Sequence, residues 1–441
     1  MIGETFVPSR SVIDGRDRNP WGVFAVLSLM FVISQFYRVS NAVIARDLVR
    51  DLGISAEGLG FLGGAFFYSF ALVQVPMGAA LDRIGPRIMI TILPLVSALG
   101  AFLFALSHGF ALALFARFLI GLGMACVLMG TFKALTAWFP AEKFATMTGL
   151  TYSVGTLGNV LATSPLAYLA AHLGWRISMV IIGVATALTS ALVFKIVRDR
   201  PKGSMEERGA QNPPPGDKPI PVRVSLRMIF GSFAFWQMAP VNFFRYGTFV
   251  AIQGLWGGPY LMDVLGYSPI KAGNVLMMMS LGVIIGSPIG GRLSDRILRS
   301  RKKVVIAGMS AYAVGIFLLI GWTRISHEVF YYGLFFFLGF FMSFGMVIFS
   351  HIKELFDTRM SATAMTGANF FVMIGAAVSM HAMGKIIEVF PKVDGVYPPR
   401  AYHVAFLTCL VGIAIAVTSY SFSKDTRPDS PRKPQTGLVL S

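Results

Sequence analysis

Charge is what this sequence has least of. Only 13% of its 441 residues are Asp, Glu, Lys or Arg, while 55% are hydrophobic, a balance that an ordinary soluble domain does not have. Acids are the scarcer sign, 21 against 38 Lys and Arg, for a formal net charge of +17. Cysteine is nearly absent: Cys126 and Cys409 both lie inside apolar runs, which excludes a disulfide scaffold and leaves them as small packing residues. There is no His or Cys spacing of a metal site and no nucleophile grouped with a base and oxyanion donors. Gly121-x-Gly123 sits inside an apolar run, where it cannot cradle a phosphate. No catalytic residue, metal or cofactor is therefore expected, and the chain reads as not an enzyme. The first twenty residues hold no short apolar core with a small-residue cleavage site, so no removable signal peptide is expected.

What is present instead is apolar length. Twelve runs approach or exceed the roughly twenty residues that a helix needs to cross the hydrocarbon core, at about 21–45, 57–81, 87–106, 110–131, 144–170, 174–195, 233–262, 269–292, 304–322, 329–349, 362–387 and 401–422. Runs of this length without alternation satisfy their backbone in lipid only as helices. The fold class is an all-α membrane protein with twelve transmembrane helices, spans 1 to 12. Most Lys and Arg fall in the first tail, the even-to-odd connections and the last tail, so the positive-inside rule puts both termini in the cytoplasm of a cell inner (plasma) membrane. The basic charge then reports topology, and no nucleic acid is expected as a partner. Residues 198–227 hold Pro213-Pro214-Pro215 and several basic residues; they read as a cytoplasmic linker between an N-terminal half, 1–197, and a C-terminal half, 228–423, with a cytoplasmic tail at 424–441.

A polar knot recurs. Gly78-Ala-Ala-Leu-Asp82-Arg83-Ile-Gly85-Pro86-Arg87 joins spans 2 and 3, and Gly291-Arg292-Leu293-Ser294-Asp295-Arg296 ends span 8 with the same Gly-x-x-x-Asp-Arg spacing about half a chain later. Three arginines lie inside apolar runs: Arg38 in span 1, Arg117 in span 4 and Arg245 in span 7. Each costs roughly 2.5–3.5 kcal/mol at a helix centre, so each needs a cavity or a partner. No carboxylate lies comparably deep, which points to an anionic cargo as the partner. His351 and His381 fall near estimated helix ends and are expected at the membrane interface, although histidine can also relay protons. Met277 to Met279 are expected in the core.

The repeated loop motif, six plus six spans and a long inner linker resemble the major facilitator superfamily over nearly the whole chain. The resemblance implies two pseudo-symmetric six-helix bundles and secondary transport by alternating access, as symport or antiport, with Gly78, Asp82, Arg83, Gly85, Arg87, Asp295 and Arg296 forming a conformational latch. Around Tyr37-Arg38-x-x-x-Ala42, Arg245-Tyr246-Gly247 and Pro259-Tyr260-Leu261 the chain resembles the organophosphate:phosphate antiporter or organic anion branch, typified by glycerol-3-phosphate transporters. That likeness implies that Arg38 and Arg245 bind the negative group of a small anionic substrate from opposite halves. It departs from the branch at Tyr152, Gln74 and Arg117, which leaves carboxylates and zwitterions, including amino acids and dipeptides, open beside phosphates. Gln35, Asn41, Gln74, Tyr152, Asn159, Asn242, Gln253 and Asn369 are expected to line the cavity, and Arg117 to couple a proton or add a third electrostatic contact. Protons or phosphate are the coupling species considered, and the lipid bilayer is the other partner. Multidrug efflux and a non-transporting metabolite sensor are the alternatives on the same fold.

Overall fold

The helices begin where the sequence supplies a cap and a proline. Asn19 accepts from the Trp21 amide at 3.0 Å ahead of Pro20, Ser268 from Lys271 at 3.3 Å ahead of Pro269, and Ser300 from Lys303 at 3.1 Å, each satisfying one of the orphan donors of a first turn. The computed structural model describes residues 19–139, 141–199, 222–320, 327–356 and 358–426. Among them there is no β-strand, only an isolated bridge between Val393 and Val396.

The helices are α1 (Pro20–Val39), α2 (Asn41–Leu52), α3 (Ala56–Ile84), α4 (Pro86–Ala105), α5 (Phe110–Met124), α6 (Val127–Trp138), α7 (Ala141–Leu161), α8 (Ser164–Ile196), α9 (Val222–Phe230), α10 (Phe233–Ala251), α11 (Gly257–Asp263), α12 (Pro269–Arg292), α13 (Arg301–Leu319), α14 (Glu328–Phe344), α15 (Ile348–Leu355), α16 (Thr358–Glu388) and α17 (Pro399–Ser421). They resolve into the twelve expected spans once the breaks are read. Ten stretches among the described residues are long and apolar enough to cross a membrane, and the 51-residue stretch Thr146–Ile196 holds two of the rods, because Gly174 turns the chain at φ 80° inside α8. Span 7 is the twelfth: α10 and α11 joined by a π-helical turn, Ile252–Trp256, whose polar residues lower its apolar signal. Spans 1, 4 and 10 are also interrupted, at Ser40, at Ala125-Cys126 and at Gly345–Val347. The result is an all-helical membrane fold of two six-span bundles.

Boundaries differ in places. The rod of span 1 continues past the expected end at 45, and beyond its apolar stretch Pro20–Val39, through α2 to Leu52, with Gly53 in the left-handed region as its stop. The expected linker 198–227 lies mostly outside the described residues, and its last part is already helical from Val222. Of the expected tail 424–441, the part through Thr426 is described: Asp425 accepts from Ser300 Oγ at 2.6 Å and Thr426 donates to Glu354 at 2.6 Å.

The bundles meet at the end of the molecule away from Pro20. There span 2 lies backbone to backbone against span 11: a Cβ at Gly60 would stand 2.6 Å from the Met380 carbonyl oxygen and one at Gly64 2.9 Å from that of Ala377, a closeness only glycine permits. Polar bridges ring this seam. Arg46 donates from Nε and Nη2 to Asp263 Oδ1 at 2.8 and 2.6 Å, Tyr402 holds the other Asp263 oxygen at 2.5 Å, Ser164 donates to Asn274 at 2.6 Å, and His381 lies 3.4 Å from Glu57.

Candidate functional site

Each of the two rods that carry the expected ligating arginines is broken next to them. In span 1 the helix breaks at Ser40, two residues after Arg38, and in span 7 the π turn begins seven residues after Arg245. Such breaks re-aim side chains at the cost of regular backbone bonds. Both arginines face one cavity of about 430 Å³ between the bundles. The seam just described caps it at one end, and the exposed Gly149, Tyr152 and Ser153 lie toward the other.

Neither guanidinium is matched by an acid. Arg38, 6% exposed, donates from Nη1 to the Tyr246 hydroxyl at 3.1 Å and stacks 5.0 Å over the Phe70 ring. Arg245, 2% exposed, reaches among the described residues only the Met342 sulfur, at 3.8 Å, a weak acceptor. The Nε of each has no partner among the described residues. Among the described residues that line the cavity there is no Asp, Glu, Lys or His, so the described wall carries two fixed positive charges and no negative one. Tyr152 lines the same cavity as both arginines.

Of the expected cavity residues, Gln35, Arg38, Gln74, Tyr152, Asn159, Arg245, Gln253 and Asn369 line it together. Gln253 donates to Ser280 Oγ at 2.7 Å from inside the π turn. Asn41 and Asn242 do not line it; both are buried in the bundle walls, Asn41 just past the Ser40 break and Asn242 with its amide 3.5 Å from the Met238 carbonyl. Arg117 is also outside the lining. It is 1% exposed, donates to the Tyr37 carbonyl at 3.2 Å and lies between the rings of Phe66 and Phe104, 5.8 Å from each. Tyr37 is one of the residues whose carbonyl the Ser40 break loosens, so Arg117 supports that break from within its own bundle.

The histidines also settle. His351, expected at the membrane interface, is fully buried near one end of its bundle, with Nδ1 2.6 Å from the Tyr420 hydroxyl and Nε2 2.9 Å from the Lys424 carbonyl. His381 lies in the seam between bundles. Met279 is buried in the core, as expected, and Met277 and Met278 are half-buried.

The two loop motifs sit at the opposite end from the seam. The side chain of Asp82 lies outside the described residues, as does the packing around Gly78, and Arg83 is exposed. Gly85 adopts φ 91° and lets the Asp199 carboxylate approach, which accepts from the Arg87 amide at 2.8 Å and so caps α4, while the Arg87 side chain donates to the Phe194 carbonyl at 2.9 Å. In the second copy Asp295 pairs with Arg301, which also holds Glu354 at 2.7 Å; Arg296 is exposed. These contacts stay within each bundle.

Several residues of the site were not expected there, Tyr246 and Gly345 among them. Tyr246, beside Arg245, is the only hydrogen-bond partner described for the Arg38 side chain; its adjacency to an intramembrane arginine was the available signal. Gly345, at the break in span 10, has no signal of that kind: a Cβ there would collide with Arg245 Cδ, so the glycine is the notch in which the arginine stem rests.

Comparison with known proteins places this architecture. The family model for the Major Facilitator Superfamily matches residues 26–299 and 238–440. The chain belongs to the major facilitator superfamily. It is 27% identical over 313 residues to a hexuronate transporter of Bacillus subtilis (strain 168), covering 68% of this chain and 72% of that one. A probable hexose phosphate transport protein of Chlamydia pneumoniae is 22% identical over 416 residues, 88% of each chain, and a probable galactarate/D-glucarate transporter of Escherichia coli (strain K12) is 24% identical, covering 66% and 72%. Among solved structures, a D-xylose-proton symporter shares the fold with a TM-score of 0.72 at 15% identity over 91% of this chain and 97% of its own. A bacterial homolog to the human lysosomal transporter Spinster does so with 0.71 at 16%, over 92% and 96%. This facilitator is thus a multi-pass membrane transporter of small molecules, and its relatives are named as transporters, not enzymes.

Proposed function

We propose that this protein is a secondary transporter that moves a small organic anion across the inner membrane by alternating access, with Arg38 and Arg245 as the groups that bind its negative charge. The observation that carries the reading is the pair of buried arginines from equivalent rods, spans 1 and 7, facing one cavity whose described lining holds no acid. Leaving such charges without an anion is expensive, and a ligand anion supplies what the protein withholds. A zwitterion fits less well, since its ammonium would find no carboxylate in that lining, and a cationic drug would meet two like charges. The relatives named for hexuronate, galactarate or glucarate, and hexose phosphate all handle anions.

In this reading the halves 1–197 and 228–423 rock about the cavity, joined by the linker 198–227 with the tail 424–441, both termini in the cytoplasm. Gln35, Gln74, Tyr152, Asn159, Gln253 and Asn369 contact substrate, whereas Asn41, Asn242 and Arg117 hold the walls that place the arginines. With the far end sealed and the motif loops bonded within their own bundles, the conformation described opens toward the cytoplasm. The Asp82, Arg83, Gly85, Arg87, Asp295 and Arg296 loops would take up cross-bundle contacts in the opposite state, in which the far end parts. Protons or phosphate would supply the coupling gradient.

Reconstituted vesicles test this directly. Labelled organic anions should enter vesicles preloaded with unlabelled substrate, and Arg38→Gln or Arg245→Gln should abolish the flux. Binding without flux in the wild type would replace transport by sensing, and flux unaffected by both substitutions would remove the arginines from the site.

A further inference from the structure

The far-end seam holds a contact besides the glycines and the bridges that ring it. Spans 2 and 11 pack antiparallel there: a Cβ at Gly64 would meet the Ala377 carbonyl, one at Gly60 the Met380 carbonyl, and one at Gly384 the Ala56 carbonyl at 2.5 Å. The first turn of α3 is thereby laid against the last turns of α16. A first turn carries amide protons that find no partner inside the helix. In α3, Ser55 serves one of them from its own bundle, accepting from the Gly58 amide at 3.2 Å. Two others are served from the opposite half. The Glu57 amide donates to Glu388 Oε2 at 2.6 Å, and the Ala56 amide to the Tyr397 hydroxyl at 3.4 Å. Glu388 is the last residue of α16, and Tyr397 lies in the connection from span 11 to span 12.

Span 8, the rod that carries the second motif copy, starts otherwise. Pro269 at its first position has no amide proton to satisfy, and Ser268 of the same bundle accepts from Lys271. Of these two rods, only span 2 takes caps from across the seam among the described residues.

A cap of this kind exists in one conformation only. When the far end parts, both amides must exchange their protein acceptors for water, and the carboxylate leaves the positive end of the helix. Resting on the alternating-access reading above, we infer that Glu388 and Tyr397 are positioning residues of the transport cycle: they cap span 2 from the opposite bundle, hold the far end shut and set how often it opens. Glu388 carries the larger share, being charged and making the shorter bond.

A thiol in the seam reads this directly. Met380 is 1% exposed and lies beside Gly63 of the opposite bundle. In Met380→Cys, a membrane-impermeant maleimide outside right-side-out membrane vesicles reaches the thiol only when the far end parts. At low reagent concentration the alkylation rate then follows the open fraction even where that is small. Cys126 and Cys409 are buried, each bonded within its own bundle, and the full-length protein without Met380→Cys sets the background.

Adding Glu388→Ala should raise the rate about fivefold, as expected for the loss of one helix cap. Glu388→Gln keeps an acceptor oxygen and should recover part of the difference, and Tyr397→Phe should raise the rate by less than Glu388→Ala. Ser55→Ala is the control. Its cap lies within one bundle in both states, so it should lower the melting temperature and leave the rate at the value without it.

An unchanged or slower rate in Glu388→Ala would overturn the inference. An equal rise in Ser55→Ala would do so too, since the cap would then act through helix stability alone. In both cases alternating access stands, because the thiol is still reached. A thiol left unmodified in every variant, with Gly60→Ala included, would remove the parting of the far end and that reading with it.

Discussion

The seam between spans 2 and 11 offers a way to move the whole conformational equilibrium with two hydrogen-to-methyl changes. At Gly60 an added Cβ would lie 2.6 Å from Met380 O and 3.2 Å from His381 Cα, and at Gly64 2.9 Å from Ala377 O and 3.2 Å from Tyr68 Cε2. Ordinary carbon to oxygen contact is several tenths of an ångström longer, and the atoms struck first are backbone, which cannot swing aside. Overpacking of this kind costs about 1–3 kcal/mol. In the alternating-access cycle proposed above, spans 2 and 11 part at this end in the opposite state, so the cost falls on one conformation only. Each alanine should therefore shift the ratio of far-end-closed to far-end-open molecules by roughly 5- to 150-fold toward the open form. Spin labels on Arg50→Cys and Lys392→Cys, on opposite bundles beside the seam, read this as a longer distance by pulsed electron resonance. Gly22→Ala is the control, since nothing lies within 4 Å of a Cβ there. Gly60→Ala and Gly64→Ala giving the same distance distribution as Gly22→Ala would refute the assignment of this seam as the moving contact.

Other outcomes follow from single residues. Gly345→Ala should displace the Arg245 stem and raise KM several-fold with a smaller change in maximal rate, as measured by uptake kinetics; an unchanged KM would show that the notch does not position the arginine. Arg117→Leu takes the charged donor from the Tyr37 carbonyl, leaving it the Ser40 hydroxyl at 3.3 Å, and should lower the melting temperature by several degrees, while the KM of the folded fraction stays within about twofold; a KM change of tenfold or more would put Arg117 back in the substrate path. Asp51, at the far end outside the membrane spans, is held down at a pKa of about 2 by the Trp175 indole N–H at 2.9 Å, with Arg50 and Arg176 adding to it. A depressed carboxylate contributes stability that is complete above its unfolded value near 3.8 and is lost as pH falls toward 2. The Asp51→Asn variant should then melt lower than wild type at pH 7 and converge with it near pH 2 to 3. A constant difference across that range would contradict the linkage.

The span count and the repeat were legible because apolar length and the Gly-x-x-x-Asp-Arg spacing are local properties. Arg38 and Arg245 were legible for a related reason, that an unmatched charge in an apolar run demands an explanation. What the sequence hid depends on azimuth and on breaks. Asn41 and Asn242 share helical spacing with residues that do line the cavity, yet both are buried outside its lining, Asn41 just past the break at Ser40. The burial of His351 was hidden because span 10 was expected to stop near it; the rod re-winds after Gly345 and carries the ring under Tyr420 and Lys424. Gly345 itself could not be found from the chain, since its role is the absence of an atom where a side chain a hundred residues away must pass.

The central claim is that two arginines from opposite bundles bind the transported anion, and one measurement meets it most directly. The melting temperature of the purified protein is recorded with a panel of organic phosphates, carboxylates, neutral sugars and hydrophobic cations, for the wild type and for Arg38→Gln and Arg245→Gln. The account predicts an anion that stabilises the wild type and neither variant, with both variants melting within a few degrees of wild type when no ligand is added. Equal stabilisation of all three proteins by that anion, or stabilisation by hydrophobic cations alone, would contradict it.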